Sequence, residues 1–387
     1  MSEIRSEYLK AQVPIAEPLQ AVQKKPFYIT QNEEFKAYAQ TPVSQHWSEF
    51  IHSVKLTDDT FPSEIIPNAT YTWTQEGKTI KIKLNDSLKF NLDNPEEIRI
   101  TETSITSPHI RGDFLFPILT SEIKENEIIL IINEYPNTAN SNDPIDKWPV
   151  LITGGEDPDP YSLYLLSELS KISEKAEFYY FWLIQAAEHG FELSQKSFAM
   201  NLLSGRKFEQ AMYWFTRYAI STRDEFSQVV IAQYLFEAKD ENTDPVLAEN
   251  ILINLVKEGA KDPLYYLGYL HLQKMENWNN DEKLAVKYLQ ESCEQNNDCL
   301  SMQLLADCYK SGLGCERDFK KGIYYEQLAT KTALKEKVEE VKNEVTEKKE
   351  KIEEKSDIPL ASFIASAVAV AGVAACGLYV FRRIFRK

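Results

Sequence analysis

The soft or imidazole donors that most often hold zinc are few in this sequence: His46, His52, His109, His189 and His271, and the five cysteines. Four of those, Cys293, Cys299, Cys308 and Cys315, fall within 23 residues. A structural zinc site at that density needs Cys-x-x-Cys pairs or a nearby histidine, and here the nearest, His271, lies well upstream. The four are read as reduced, small apolar residues. Gly154-Gly155 could open a phosphate cradle, but no lysine and helix start follow, so the pair is a turn. No nucleophile elbow is present and no carboxylate pair stands apart from the rest. The expectation is no enzymatic activity, no cofactor and no metal.

The chemistry of this chain is therefore that of its surfaces. Its formal net charge is −16, yet the last six residues are cationic at Arg382, Arg383, Arg386 and Lys387 while 358–381 carry no charge, so residues 1–358 hold −20. Such a body does not neutralise phosphates, which excludes nucleic acid as a partner. It is compatible with basic ligands, cationic targeting sequences among them. With 387 residues, 43% of them apolar, two or three domains with buried cores are expected.

The uncharged run at 358–381 is long enough, at about 1.5 Å per residue, to cross a hydrocarbon core of about 30 Å as one helix. Residues 1–40 hold no apolar run of signal-peptide length and are broken by Pro14, Pro18 and Pro26. The expected topology is a tail anchor with the body in the cytosol. Seven alanines and a short basic tail fit a mitochondrion-type outer membrane better than the endoplasmic reticulum, which is the second choice. Arg382, Arg383, Arg386 and Lys387 are the candidate targeting residues. Ala367, Ala371 and Ala375 form a small-xxx-small stripe on which another membrane helix or a barrel wall could pack.

Residues 1–65 are read as a flexible arm with a short helix, whose face is Val43, Trp47, Phe50, Ile51 and Val54. From Tyr71 the period changes to two. Thr79–Leu84 and Glu97–Thr101 alternate, Asp113–Leu119 and Glu127–Ile132 supply further strands, and the region 66–160 reads as an all-β sandwich. Tyr71-Thr-Trp-Thr-Gln75, Arg111-Gly-Asp-Phe-Leu115, Ile128–Asn133 and Lys147-Trp148-Pro-Val-Leu151 resemble a CS (p23/NudC/Hsp20-like) domain. The resemblance implies holding client proteins or binding Hsp90-class chaperones without catalysis. Its signature residues here, Tyr71, Trp73, Gln75 and Trp148, are mainly structural. The chain departs from the family at Glu134, where a lysine is usual, and lacks a second tryptophan beside Trp148.

Beyond Pro160 the pattern turns helical, and Trp182, Trp214, Leu252, Tyr288 and Tyr325 recur at spacings of 32, 38, 36 and 37 residues. That period marks an all-α solenoid of helix pairs over 161–332. Leu304–Tyr309, Gly312-Leu-Gly314, Asp318 and Lys321–Tyr325 resemble the Sel1-like version of the tetratricopeptide (TPR) repeat. Residues 333–357 form a charged helical stalk with Leu334, Val338, Val341, Val345 and Ile352 at heptad-like intervals. Membrane helix 358–381 and basic tail 382–387 complete the multidomain plan.

The combination resembles the tail-anchored preprotein receptors of the hydrogenosome and mitochondrion outer-membrane translocase. That resemblance implies capture of precursor proteins or targeting peptides, or of the Hsp70- or Hsp90-class chaperones carrying them, for delivery to a β-barrel import pore. The alternatives are a Sel1-type chaperone scaffold in quality control at the endoplasmic reticulum, and a membrane tether for Hsp90-class chaperones.

Overall fold

The structure is a computed structural model that describes residues 17–26, 69–91, 97–115, 117–132, 151–155, 157–172, 176–275 and 278–353. The helical face at 43–54, the signature Trp148, the span 358–381 with Ala367, Ala371 and Ala375, and the tail with Arg382, Arg383, Arg386 and Lys387 lie outside the described residues. Among the described residues no helix is long and apolar enough to cross a membrane. The chain divides into two compact units, Ile29–Thr222 and Arg223–Lys387 with Met1–Tyr28.

Among its described residues the first unit has eight strands in two antiparallel four-stranded sheets. One has the order β1 (Tyr71–Glu76), β2 (Thr79–Leu84), β7 (Glu127–Ile132), β6 (Ile118–Ile123). The other has the order β3 (Arg99–Ile100), β4 (Ser104–Thr106), β5 (Arg111–Phe114), β8 (Ile152–Gly154). Alternation sets the register: Ile82 of β2 faces Ile128 of β7, and Ile80, Ile82, Leu84, Ile128, Leu130 and Ile132 all point inward while Lys81 and Lys83 stay in water. Gly77, at φ +55°, supplies the left-handed residue of the β1–β2 turn.

The stretch Asp113–Leu119, expected as one strand, is two. The chain leaves one sheet at Phe114, passes Pro117, and enters the other at Ile118. Pairing of β6 with β7 shifts between Ile118 and Thr120, and the residue at the shift, Leu119, is 54% exposed. A bulge has turned it out of the core.

Inward residues of both sheets share one core with the next helices, α2 (Pro160–Ile172) and α3 (Ala176–Glu188), through Leu163, Leu166, Leu169, Trp182 and Ala186. A second pair, α4 (Glu192–Ser204) and α5 (Phe208–Thr222), closes this unit with Phe198 edge-on to the fully buried Trp214.

The second unit holds three further pairs. These are α6 (Glu225–Glu237) with α7 (Pro245–Glu258), α8 (Pro263–Leu272) with α9 (Glu282–Asn296), and α10 (Cys299–Ser311) with α11 (Phe319–Glu353). The five residues that defined the period, Trp182, Trp214, Leu252, Tyr288 and Tyr325, fall each on the second helix of a pair. The stalk is not a separate helix: α11 pairs with α10 as far as the buried Ala329 and Thr332 and runs on unbroken to Glu353.

Aspartates start these helices. Asp224, Asp244, Asp281, Asp298 and Asp318 each accept a backbone N–H two or three residues on, which satisfies a donor that helix geometry leaves free. Part of the acidic surplus is thus spent on capping.

Residues 17–26, far from all this in sequence, also belong to the second unit. Glu17–Val22 forms a short helix, α1, packed on α7 with Pro18, Leu19 and Val22 buried, and Lys25 Nζ lies 2.8 Å from Asp244 Oδ2.

Candidate functional site

The three signature residues that are described line up on β1 and serve the fold. Tyr71 is buried, with its ring edge-on to Tyr161 at 5.0 Å and its hydroxyl 2.7 Å from Ser162 Oγ. Trp73 is half-buried against the same core. Gln75 donates its side-chain amide to the Gly77 carbonyl at 3.1 Å and braces the turn.

Titratable groups also have structural partners. Asp159 starts α2: its carboxylate accepts from the backbone N–H groups of Ser162 and Arg111 and from the Ser162 hydroxyl. Burial lifts this carboxyl to about 6, against the pull of those hydrogen bonds. His271 is buried between Tyr288 and Trp278, with Nε2 3.0 Å from Glu249. Burial pushes the Cys293 and Cys308 thiols up to about 12, so at neutral pH both are unreactive thiols. Cys308 is buried, whereas Cys293, Cys299 and Cys315 are only partly so. No three His, Cys, Asp or Glu side chains converge as a metal site among the described residues.

What the described surface offers instead is contact area of two kinds. On α11, Phe319, Ile323, Tyr324, Leu334, Val338 and Val341 are exposed apolar side chains, the last three at intervals of four and three that keep them on one helix face. Below them Tyr309 and Tyr325 stack at 5.6 Å and 4°, Lys321 lies over the Tyr309 ring, and Lys310 pairs with Glu326 at 2.9 Å. These contacts hold the base of α11 firmly on α10. The second kind is electrostatic. Residues 223–262, which contain α6 and α7, carry nine carboxylates and four cations, with Phe226 and Val246 exposed among them.

Sequence reasoning singled out neither Asp244 nor residues 17–26. The only local signal is short: Leu19 and Val22, three apart behind Pro18 at the second helical position, with Lys25 just beyond the helix end.

No family model matches this sequence, and no curated protein matches it. Solved structures to which it is similar are Sel1-repeat proteins. One is a Sel1 repeat protein from Oxalobacter formigenes, 22% identical over 44% of this chain and 73% of that one, with a TM-score of 0.36. Another is a protective antigen of uropathogenic Escherichia coli strains displaying an SLR fold, 15% identical over 46% of this chain and 43% of that one, TM-score 0.33. A third is a sel1 repeat protein from Klebsiella pneumoniae subsp. pneumoniae, 16% identical over 44% and 86%, TM-score 0.29.

Proposed function

We propose that this protein is a receptor and adaptor that captures precursor proteins, or the chaperones that carry them, at the outer membrane of a hydrogenosome or mitochondrion-related organelle. The observation that carries the reading is the second unit. It is an acidic set of helix pairs whose last helix exposes a row of apolar side chains, a surface suited to protein segments and not to small molecules. The two facing sheets are read as a CS/Hsp20-like domain that holds partly unfolded chains, the helix pairs as a Sel1/TPR-like array, and 358–381 as a tail anchor beside a β-barrel pore. Weak contacts spread over several surfaces suit such a role, because cargo must leave again and multivalency supplies the affinity.

Two experiments test it. Residues 356–387 fused to a fluorescent reporter should label organelle rims, and neutralising Arg382, Arg383, Arg386 and Lys387 should abolish that labelling; a reticular pattern would promote the quality-control scaffold instead. Crosslinking of a radiolabelled precursor should require residues 161–332. Equal crosslinking to a chain lacking them would remove capture from the array.

A further inference from the structure

The segment 17–26 sits on α7 as a bound peptide would. It reaches its partner across more than two hundred residues of sequence, and it brings the buried side chains Pro18, Leu19 and Val22, followed by one cation, Lys25, on Asp244. A six-residue helix is far below the roughly 12–15 residues that an isolated helix needs in water, so α1 exists because it is docked.

The carboxylate that receives Lys25 is anchored independently of it. Asp244 divides its two oxygens: Oδ1 accepts the Leu247 N–H and caps α7, while Oδ2 meets Lys25. Capping holds the carboxylate in place whether or not a cation arrives. The excess of carboxylates in 223–262, the stretch that contains α6 and α7, favours a positively charged segment over a neutral or acidic one. Three small apolar side chains, Pro18, Leu19 and Val22, and one partly exposed ion pair must offset the ordering of ten residues, so the docked segment is held weakly.

We propose that the α7 surface at Asp244 is a binding site for short amphipathic helical segments that carry a cation about one turn after an aliphatic pair, and that residues 17–26 are its resident internal occupant. A partner segment of that chemistry takes the site by displacing them. This deepens the reading of the second unit as a surface for protein segments and rests on it, but not on import or on any particular membrane.

The test uses the full chain and a fluorescein-labelled peptide of residues 15–28, read by anisotropy. Val22→Asp in the chain should release the internal segment, so the peptide binds that variant at least tenfold more tightly than the parent. An unlabelled basic amphipathic peptide of unrelated sequence should compete, and 0.5 M salt should weaken both. Equal binding to parent and variant, or no binding to a variant with native circular dichroism, overturns the proposal; so does failure of the unrelated peptide to compete. Should Val22→Asp prevent folding, the segment is an integral part of the core and the proposal also fails. Asp244→Asn gives an independent check, since asparagine keeps the cap and loses the charge. Hydrogen exchange should then accelerate in 17–26 and not in 245–258, and unchanged exchange in 17–26 would overturn the idea. Loss of precursor crosslinking with peptide binding intact would sink the import reading alone.

Discussion

The Tyr71 hydroxyl donates to Ser162, 2.7 Å away and 91 residues on in the chain, and the Ser162 hydroxyl donates in turn to Asp159 at 2.7 Å. The direction follows from the carboxylate, which can only accept while it is ionised. First strand and first helix are thereby joined through a buried relay, all of whose members are close to fully enclosed. Tyr71→Phe should cost about 1 kcal/mol, because Ser162 keeps its acceptor. Ser162→Ala should cost more, about 2–3 kcal/mol, because Tyr71 and Asp159 both lose a partner inside the core. Urea midpoints of the two variants give the order directly, and the reverse order would refute the relay.

Asp159 makes the stability of the first unit depend on pH. Burial raises its carboxyl from the ordinary 3.8 to about 6. Below pH 3.8 folded and unfolded chains both hold the proton. Between there and about pH 6 the unfolded chain has lost it and the folded chain has not, so this group's contribution falls as pH rises across the window and is level above it. Asp159→Asn should escape that loss, its stability relative to the parent growing by about 2–3 kcal/mol between pH 4 and 6. A difference that is flat across that range would mean the carboxyl titrates normally.

Arg217 on α5 reaches Glu188 at the end of α3: Nη1 donates to Oε2 at 2.9 Å and Nη2 to the backbone carbonyl at 3.3 Å, while the guanidinium lies 4.9 Å from the Trp214 ring centroid. A lysine can neither fork nor stack in this way. Arg217→Lys should therefore destabilise by about 1–2 kcal/mol. Thermal unfolding of the single and double variants with Glu188→Gln should return a coupling well above the 0.2–1 kcal/mol of exposed pairs.

Gly314 adopts φ +70°, and a Cβ there would overlap the backbone carbonyl of Glu282 on α9. At Gly312, φ +79°, the added carbon would meet only the flexible Arg317 side chain and backbone at 3.3 Å and beyond. Gly314→Ala should accordingly cost more than 2 kcal/mol and Gly312→Ala about 1 kcal/mol. Denaturation of the two variants side by side checks the ranking.

Those two glycines were legible in the sequence, as were β1, β2 and β7, because alternation in β2, the apolar run of β7 and a Gly-x-Gly turn are local signals. The 32–38-residue period likewise placed Trp182, Trp214, Leu252, Tyr288 and Tyr325 at equivalent positions before any helix was seen. What escaped depended on distant partners. Pro117 divides an apolar run that reads as one strand, and only pairing to two different sheets reveals the division. Residues 17–26 carry too little apolar surface to announce themselves; their order comes from α7, more than two hundred residues away. The change of composition after Thr332 suggested a boundary where the backbone has none.

That continuity has a mechanical meaning. From Phe319 to Glu353 the 35 residues of α11 rise about 52 Å, and no proline interrupts them. About 31 Å of this rod runs past Thr332, the last buried residue among its described side chains, with no joint to absorb tilt or twist. Its base is clamped by the Tyr309–Tyr325 stack and the Lys310–Glu326 pair. Torque applied beyond Glu353 reaches α10 as rotation of a lever arm, and a pull on the last helix pair is transmitted as force along the same shaft.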